Sequence, residues 1–330
     1  MPANLTQQYL KAEEAYRQAS SPEEELKCLQ VMLQEIPKHK GTDHLQASLK
    51  SKVAKLKKEI AADKQAGKKS RGVRIPRQGA GTAILLGGPN SGKSRLIASL
   101  TRAEPEVAPY PFTTHVAAPA MMPWEDVYVQ LIDTPPITAD FMESYMHGLI
   151  RSADLALLMV NLGEDDGIEQ IQEVMDRLSA TKTRLARTSY LDESDVGLSY
   201  TRAFLVLNKI DVEGAEERIG LLHELCDLDF EEIRISATEG TGLEELRNKV
   251  YEALDVVRVY TKLPSAKEPD LERPFTVRNG DTLVELARQV HKDYVEGLKF
   301  ARVWGTAVHD GTVVKGDYVL HDKDIVELHM

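Results

Sequence analysis

The sequence predicts a doubly wound α/β domain with a mostly parallel sheet, preceded by a helical hairpin and followed by a small β-grasp-like module. Three observations carry that expectation. From about residue 80 to 255, short apolar runs alternate with helical patterns. Ahead of them, apolar residues recur every three or four positions over two stretches. Beyond residue 274 the order becomes strand, helix and several short strands. A chain of 330 residues is long enough for two or three domains with separate cores.

In order, Leu5, Tyr9 and Tyr16 mark a first, weak helix. Ser21-Pro22-Glu23-Glu24 reads as a capping box with proline at the first helical position. The helix it opens carries Leu26, Leu29, Met32, Leu33 and Ile36, and PKHKGT at 37–42 breaks it. Leu45, Leu49, Val53, Leu56 and Ile60 mark the partner helix, so the two form an αα-hairpin with lysines on the outer face. KQAGKKSRGVRIPRQ at 64–78 reads as a basic linker that closes a first unit, 1–78. In the α/β unit, 79–256, strands are expected at 82–86, 127–132, 154–160, 204–207 and 232–235. Helices are expected near 93–102, 138–150, 166–179, 213–226 and 242–255, and the polar stretch 180–200 reads as a surface insertion. Pro264 and Pro269 make 257–273 a second linker. The last unit, 274–330, is expected to hold a strand at 275–277, a helix at 282–291 and strands at 301–304, 318–320 and 325–328.

Composition removes several classes of function. There is no run of about 18 apolar residues, so no membrane span is expected. The first residues lack the apolar core of a secretion signal, which points to a cytoplasmic setting. Cys28 and Cys226 are far apart and without metal-type spacing, so they are expected to be reduced thiols. The histidines form no HExxH, which argues against a zinc hydrolase. The net charge is −11, yet from Lys38 to Arg77 there are thirteen Lys and Arg against three acids. That local excess either meets a polyanion or forms a solvated helix face.

The stretch with the most chemistry is GGPNSGKS at 87–94, which completes G-x-x-x-x-G-K-[ST] between an apolar run and a helical one. Glycines let backbone N–H groups curl around a phosphate, and the helix N-terminus adds positive charge. Gly87, Pro89, Asn90, Ser91, Gly92, Lys93, Ser94 and Arg95 are the candidate phosphate-binding residues. Lys93 would reach the β- and γ-phosphates and Ser94 would ligate Mg²⁺. Asp133 ends a predicted strand, where a carboxylate commonly holds the Mg²⁺ shell. In YPFTT at 110–114, either Thr113 or Thr114 could complete the metal and γ-phosphate contacts; Thr114 is the candidate. NKID supplies Asn208, Lys209 and Asp211. A carboxylate at Asp211 would accept from guanine N1–H and the 2-amino group, donors that adenine lacks. Ser236 and Ala237 of ISA would supply a backbone N–H for guanine O6. These stretches, in this order on strand ends, predict binding of GTP and GDP with Mg²⁺.

GGPNSGKS, YPFTT, NKID and ISA together resemble the Obg branch of translation-factor-like GTPases. IPKHKGTDHLQASLK at 36–50, with the Lys-rich helix after it, resembles the N-terminal hairpin of the DRG subfamily. VYTK at 259–262, HKD at 291–293 and ARVWG at 301–305 resemble that subfamily's TGS domain. The resemblance implies a P-loop GTPase domain between a helical hairpin and a TGS-like β-grasp domain. It implies that Asn90 helps hold K⁺ beside the phosphates, making Asn90, Lys93, Thr114 and Asp133 the catalytic candidates. It also implies a ribosome or RNA partner for the segment from Lys38 to Arg77 and for the C-terminal unit, with a regulatory protein as a further partner. Two departures stand out. The subfamily's larger insertion is reduced here to 180–200, and Pro136 replaces the switch glycine whose N–H contacts the γ-phosphate. The next residue, Ile137, cannot orient water as a glutamine would. A slow GTPase and a nucleotide-bound scaffold with partner-binding arms both fit these residues.

Overall fold

The computed structural model describes residues 6–19, 22–37, 42–65, 75–101, 117–191 and 198–330. Three helices come first, α1 (Gln7–Gln18), α2 (Pro22–Glu35) and α3 (Asp43–Gln65). Thr6 caps α1 by accepting from the Tyr9 N–H at 3.1 Å. Tyr9, Tyr16, Leu29, Met32, Ile36, Leu49 and Val53 share one small core, so the expected hairpin is a three-helix unit. The weak periodicity of α1 is explained by its two tyrosines, which bury against α2 and α3 in place of an aliphatic stripe. Ser21 of the expected capping box and residues 66–74 of the basic linker lie outside the described residues.

The central domain runs β1 (Thr82–Leu86), α4 (Lys93–Leu100), β2 (Ala118–Trp124), β3 (Val127–Asp133), α5 (Met146–Ser152), β4 (Leu155–Asn161), α6 (Gly167–Ser179), β5 (Thr183–Ala186), β6 (Tyr190–Leu191), β7 (Ser199–Asn208), α7 (Ala215–Leu225), β8 (Glu231–Ile235) and α8 (Leu243–Ala253). β1 lies parallel between β3 and β4, β4 pairs β7, and β7 pairs β8, all parallel. β2 adds an antiparallel edge on β3. Every residue of β1 and β4 is buried, as strands covered on both faces must be. Ile84, Leu86, Leu158 and Leu207 point into one core, and Ala83, Leu85, Leu157 and Val206 into the other. This alternation holds the strand ends level and presents the loops after β1, β3, β7 and β8 on one edge of the sheet.

The third unit runs β9 (Val256–Thr261), β10 (Asp270–Arg278), α9 (Leu283–Val290), α10 (Lys292–Gly297), β11 (Phe300–Gly305), β12 (Val308–Val314) and β13 (Asp324–His329). Its sheet has the order β10-β9-β13-β11-β12, with β9 and β13 parallel and α9 packed over the core. Thr282 and Glu285 form a capping box that starts α9.

Four expectations need correction. The linker at 257–273 contains β9 and the start of β10; Val257 and Val259 belong to the C-terminal core, and the prolines follow the strand. The insertion at 180–200 contains β5, β6 and the start of β7, with Thr183 and Leu185 buried beneath alternating Arg184 and Ala186. The helix at 138–150 begins only at Met146; after Pro135 and Pro136, Thr138 and Phe141 exchange backbone hydrogen bonds in a tight loop. Residues 318–320 form no strand; Val319 makes a single bridge to Thr282. β2 and β12 went unpredicted: Pro119 and Pro123 mask the first, and Gly311 interrupts the second. Among the described residues no helix is long and apolar enough to cross a membrane.

Candidate functional site

The loop after β1 turns through Gly87, Asn90 and Gly92 with positive φ. A Cβ on Gly92 would stand 2.2 Å from Asn208 Nδ2, so only glycine fits where this loop meets the one after β7. Asn90 takes φ 54° and is exposed on the lip of the loop, a conformation asparagine tolerates. Pro89 is half-buried, Ser91 is buried, and Arg95 is exposed on the first turn of α4.

Lys93 opens α4 and is 7 % exposed. Its ammonium donates to the Gly87 and Gly88 carbonyls at 3.0 and 2.8 Å and to Ser91 Oγ at 3.2 Å. Burial pushes it down to about 8, against the opposing pull of the Asp133 carboxylate. Ser94 Oγ donates to Asp133 Oδ2 at 2.5 Å, and Asp133 Oδ1 is buried without a hydrogen-bond partner. One hydroxyl and one carboxylate, with an oxygen left over, are a donor set suited to a hard cation that keeps other oxygen ligands. Among the described residues no group of three or more His, Cys, Asp or Glu could hold a metal by itself. Thr113 and Thr114 lie outside the described residues.

Asn208 joins three loops. Its Nδ2 donates to the Ser91 carbonyl at 2.9 Å, and its Oδ1 accepts from the Ala237 N–H at 3.1 Å. The Ala237 N–H, expected to serve guanine O6, is therefore engaged with Asn208, because a side chain only 2 % exposed needs a donor for its oxygen. Ser236 Oγ accepts from the Glu239 N–H at 3.0 Å, which tightens the turn after β8. Lys209 has φ 68° and lies against Gly163, where a Cβ would come within 2.7 Å of its Cδ. Asp211 is exposed beyond it. Around Asp133 the next residues fold inward: Thr134 Oγ1 donates to the Leu85 carbonyl at 2.5 Å, and the N–H of fully buried Ile137 donates to the Gly87 carbonyl at 3.2 Å. Pro136 stands exposed between them.

Among the described residues, the loops that the motifs mark thus meet at one edge. Sequence reasoning missed Thr134, Gly163 and Gln170, whose side chain lies over Gly88. Gln170 sits in the regular amphipathic pattern of α6, which gives no signal of a neighbour in the loop after β1. A separate cavity of about 320 Å³ lies at the opposite end of the strands, lined by Arg77, Arg151, Arg202 and Arg278 among others. Three of these arginines are paired, with Asp154, Glu25 and Glu14, which makes the region a salt-bridged seam between the helical unit, the central domain and the C-terminal sheet.

Residues 82–190 match the family described as 50S ribosome-binding GTPase, and residues 257–330 match the TGS domain. The chain is 28 % identical to an uncharacterized GTP-binding protein of Methanocaldococcus jannaschii, over 93 % of this chain and 92 % of that one. It is 26 % identical to Ribosome-interacting GTPase 1 of Saccharomyces cerevisiae, over 94 % and 99 %. It is also 26 % identical to Developmentally-regulated G-protein 1 of Arabidopsis thaliana, over 92 % and 90 %. The YchF GTPase of Schizosaccharomyces pombe shares the fold, with a TM-score of 0.51 at 14 % identity, over 77 % of this chain and 99 % of that one. The chain thus carries a region like the 50S ribosome-binding GTPases ahead of a TGS domain, and over most of its length it is similar to the developmentally regulated GTP-binding proteins.

Proposed function

We propose that the chain binds GTP and GDP with Mg²⁺, hydrolyses GTP slowly to GDP and phosphate with stimulation by K⁺, and acts at the ribosome or on RNA. The observation that carries the nucleotide reading is Asn208, which ties the phosphate loop to the two loops after β7 and β8. Lys93 exchanges its carbonyl partners for the β- and γ-phosphates, a short swing for an ammonium already facing the loop interior. Ser94, Asp133 and Thr114 would hold Mg²⁺, which offsets charge on the β- and γ-phosphates when bound. Asp211 reads guanine N1–H and the 2-amino group, and the stem of Lys209 braces the base. Asn90, on the exposed lip, is the side chain for K⁺, which would supply a positive charge beside the phosphates. Buried Ile137 orients no water, and Pro136 offers no N–H, so turnover is slow.

The departure at Pro136 also favours a second reading, in which nucleotide holds the fold and turnover is incidental. Single-turnover GTP hydrolysis with Mg²⁺, in KCl against NaCl, separates the two. A faster rate in KCl, lost in Asn90→Ala, supports the K⁺-assisted enzyme. Tight guanine-nucleotide binding with no turnover in either salt supports the scaffold. Equal rates in both salts remove K⁺ from the mechanism.

The partner reading rests on the excess charge from Lys38 to Arg77, on the TGS domain and on the yeast relative named as ribosome-interacting. A regulatory protein bound to one of these arms would fit the same design, and the setting is cytoplasmic.

A further inference from the structure

The tip of the β2–β3 hairpin, Trp124-Glu125-Asp126, is gripped by the C-terminal domain. Arg258 on β9 is 3 % exposed. Its guanidinium donates to Asp126 Oδ1 at 2.8 Å, to Glu125, and to Asp322 Oδ1 and Oδ2 at 3.0 and 2.7 Å. It also lies 5.1 Å from the Trp124 ring and 5.9 Å from that of Tyr251. The Tyr260 hydroxyl donates to the other oxygen of Asp126. Trp124 stacks on Tyr251 with centroids 3.5 Å apart, and its Nε1–H donates to Asn248 Oδ1 at 2.9 Å. Burial alone would raise the Asp126 carboxyl, but hydrogen bonds from Tyr260 and Arg258 hold it below its ordinary value. Burial would likewise raise Asp322, and Arg258 holds it low. Asp126 and Asp322 are therefore carboxylates at neutral pH, and they face the one buried charge of the cluster, the Arg258 guanidinium.

The same hairpin reaches the nucleotide site at its other end. β3 terminates in Asp133, which accepts from Ser94. From Val127 to Asp133 the strand covers about 20 Å at roughly 3.3 Å per residue. It is paired on both sides, to β1 and to β2, so it moves as a stiff unit.

We propose that Arg258 is a positioning residue for the nucleotide site: it anchors the hairpin whose far end is Asp133 to the TGS domain, so that bound nucleotide and TGS domain bias one another. The proposal rests on the guanine-nucleotide reading above. Coupling between two sites is reciprocal, so loosening the grip must alter nucleotide retention, and changing the nucleotide must alter the grip.

The test is amide hydrogen exchange on the full chain with GDP and with a non-hydrolysable GTP analogue, alongside the release rate of fluorescent GDP. Asp126→Asn is the main variant, since it leaves the Arg258–Asp322 pair inside the C-terminal domain; Arg258→Gln is the second. In the wild type, exchange at 124–133 and at 256–262 should differ between the two nucleotides. In Asp126→Asn the difference at 256–262 should vanish while that at 87–94 persists, and GDP release should quicken at least about fivefold. Asp126→Glu, which keeps the charge, should recover part of both. No nucleotide-dependent change at 256–262 in the wild type, or wild-type release and exchange in Asp126→Asn, overturns the coupling. Fluorescent GDP titration on the same samples keeps the two readings apart: failure to bind overturns both, whereas binding without a change at 256–262 overturns only the coupling.

Discussion

Lys93 carries the clearest consequence at the scale of single residues. Its ammonium is held down to about 8 by burial, below the ordinary lysine value of about 10.4. Between those values the unfolded chain keeps a proton that the folded chain has lost, so stability of the protein alone should rise with pH across that window. A triphosphate reverses the preference by favouring the charged lysine. Binding above about pH 8 must then take up a proton, and GTP affinity should fall by up to about tenfold per pH unit. Calorimetric titration from about pH 7 to about pH 9.5 checks this; a flat profile would show that Lys93 does not meet the phosphates. Pro136→Gly is the companion change. Restoring one pre-aimed donor should raise single-turnover hydrolysis, by on the order of 2–4 kcal/mol if the N–H is aimed as in comparable sites. An unchanged rate would mean that the turn made by Thr134 and Ile137 no longer approaches the γ-phosphate. The cluster of Lys93, Ser94, Asp133 and Asn208 was legible because its motifs restrict residue type at fixed spacings on strand ends. Thr134 and Gln170 were not, because their partners are backbone atoms distant in sequence.

Among the elements, strands buried on both faces were easy to read and edge strands were not. β1, β4 and the second half of β7 announce themselves as apolar runs, whereas β2 carries two prolines and leans on β3 for its hydrogen bonds; β8, an edge strand of sequence EEIRI, was read only through its two isoleucines. β5 looks polar because only Thr183 and Leu185 face inward. The boundary of the third unit was misplaced for a similar reason: β9 follows α8 at once, and nothing in its composition separates a strand of the next domain from a linker. Gly92→Ala tests the loop that begins α4. Its φ of 92° and the 2.2 Å approach of Asn208 Nδ2 leave no room for a methyl group. The change should break the Asn208 bridge to Ser91, cost about 1–3 kcal/mol of stability and lower nucleotide affinity. Thermal denaturation with and without GDP measures both, and wild-type behaviour in both would show that the loop has slack.

On the scale of the whole molecule, three units with their own cores are joined by charged seams. Arg151 pairs with Glu25 at 2.5 Å and lies over the Tyr16 ring, fixing the helical unit to the central domain. Arg278 pairs with Glu14 at 2.6 Å, so α1 also touches the C-terminal sheet. Such seams were invisible in the sequence, since a paired arginine and a solvated one look alike there. The outward face of α3 carries exposed Lys50 and Lys57. If the segment from Lys38 to Arg77 meets RNA, co-sedimentation with ribosomal subunits should weaken steeply with salt. Replacing Lys50, Lys55, Lys57 and Lys58 with Gln should flatten that dependence without melting α3, because the two residues have similar helix propensity. Identical sedimentation of the two proteins would return the helix to a solubilising role.

Base selection decides whether this is a guanine-nucleotide site, because phosphate binding alone would fit any nucleotide. The direct measurement is a paired titration of wild type and Asp211→Asn with GTP and with XTP, in the presence of Mg²⁺. Losing two hydrogen bonds to a charged acceptor should weaken GTP by on the order of 100-fold or more. The same change should strengthen XTP, whose 2-oxo group can accept from the new amide. Unchanged GTP affinity with unchanged base preference would mean that Asp211 does not read guanine.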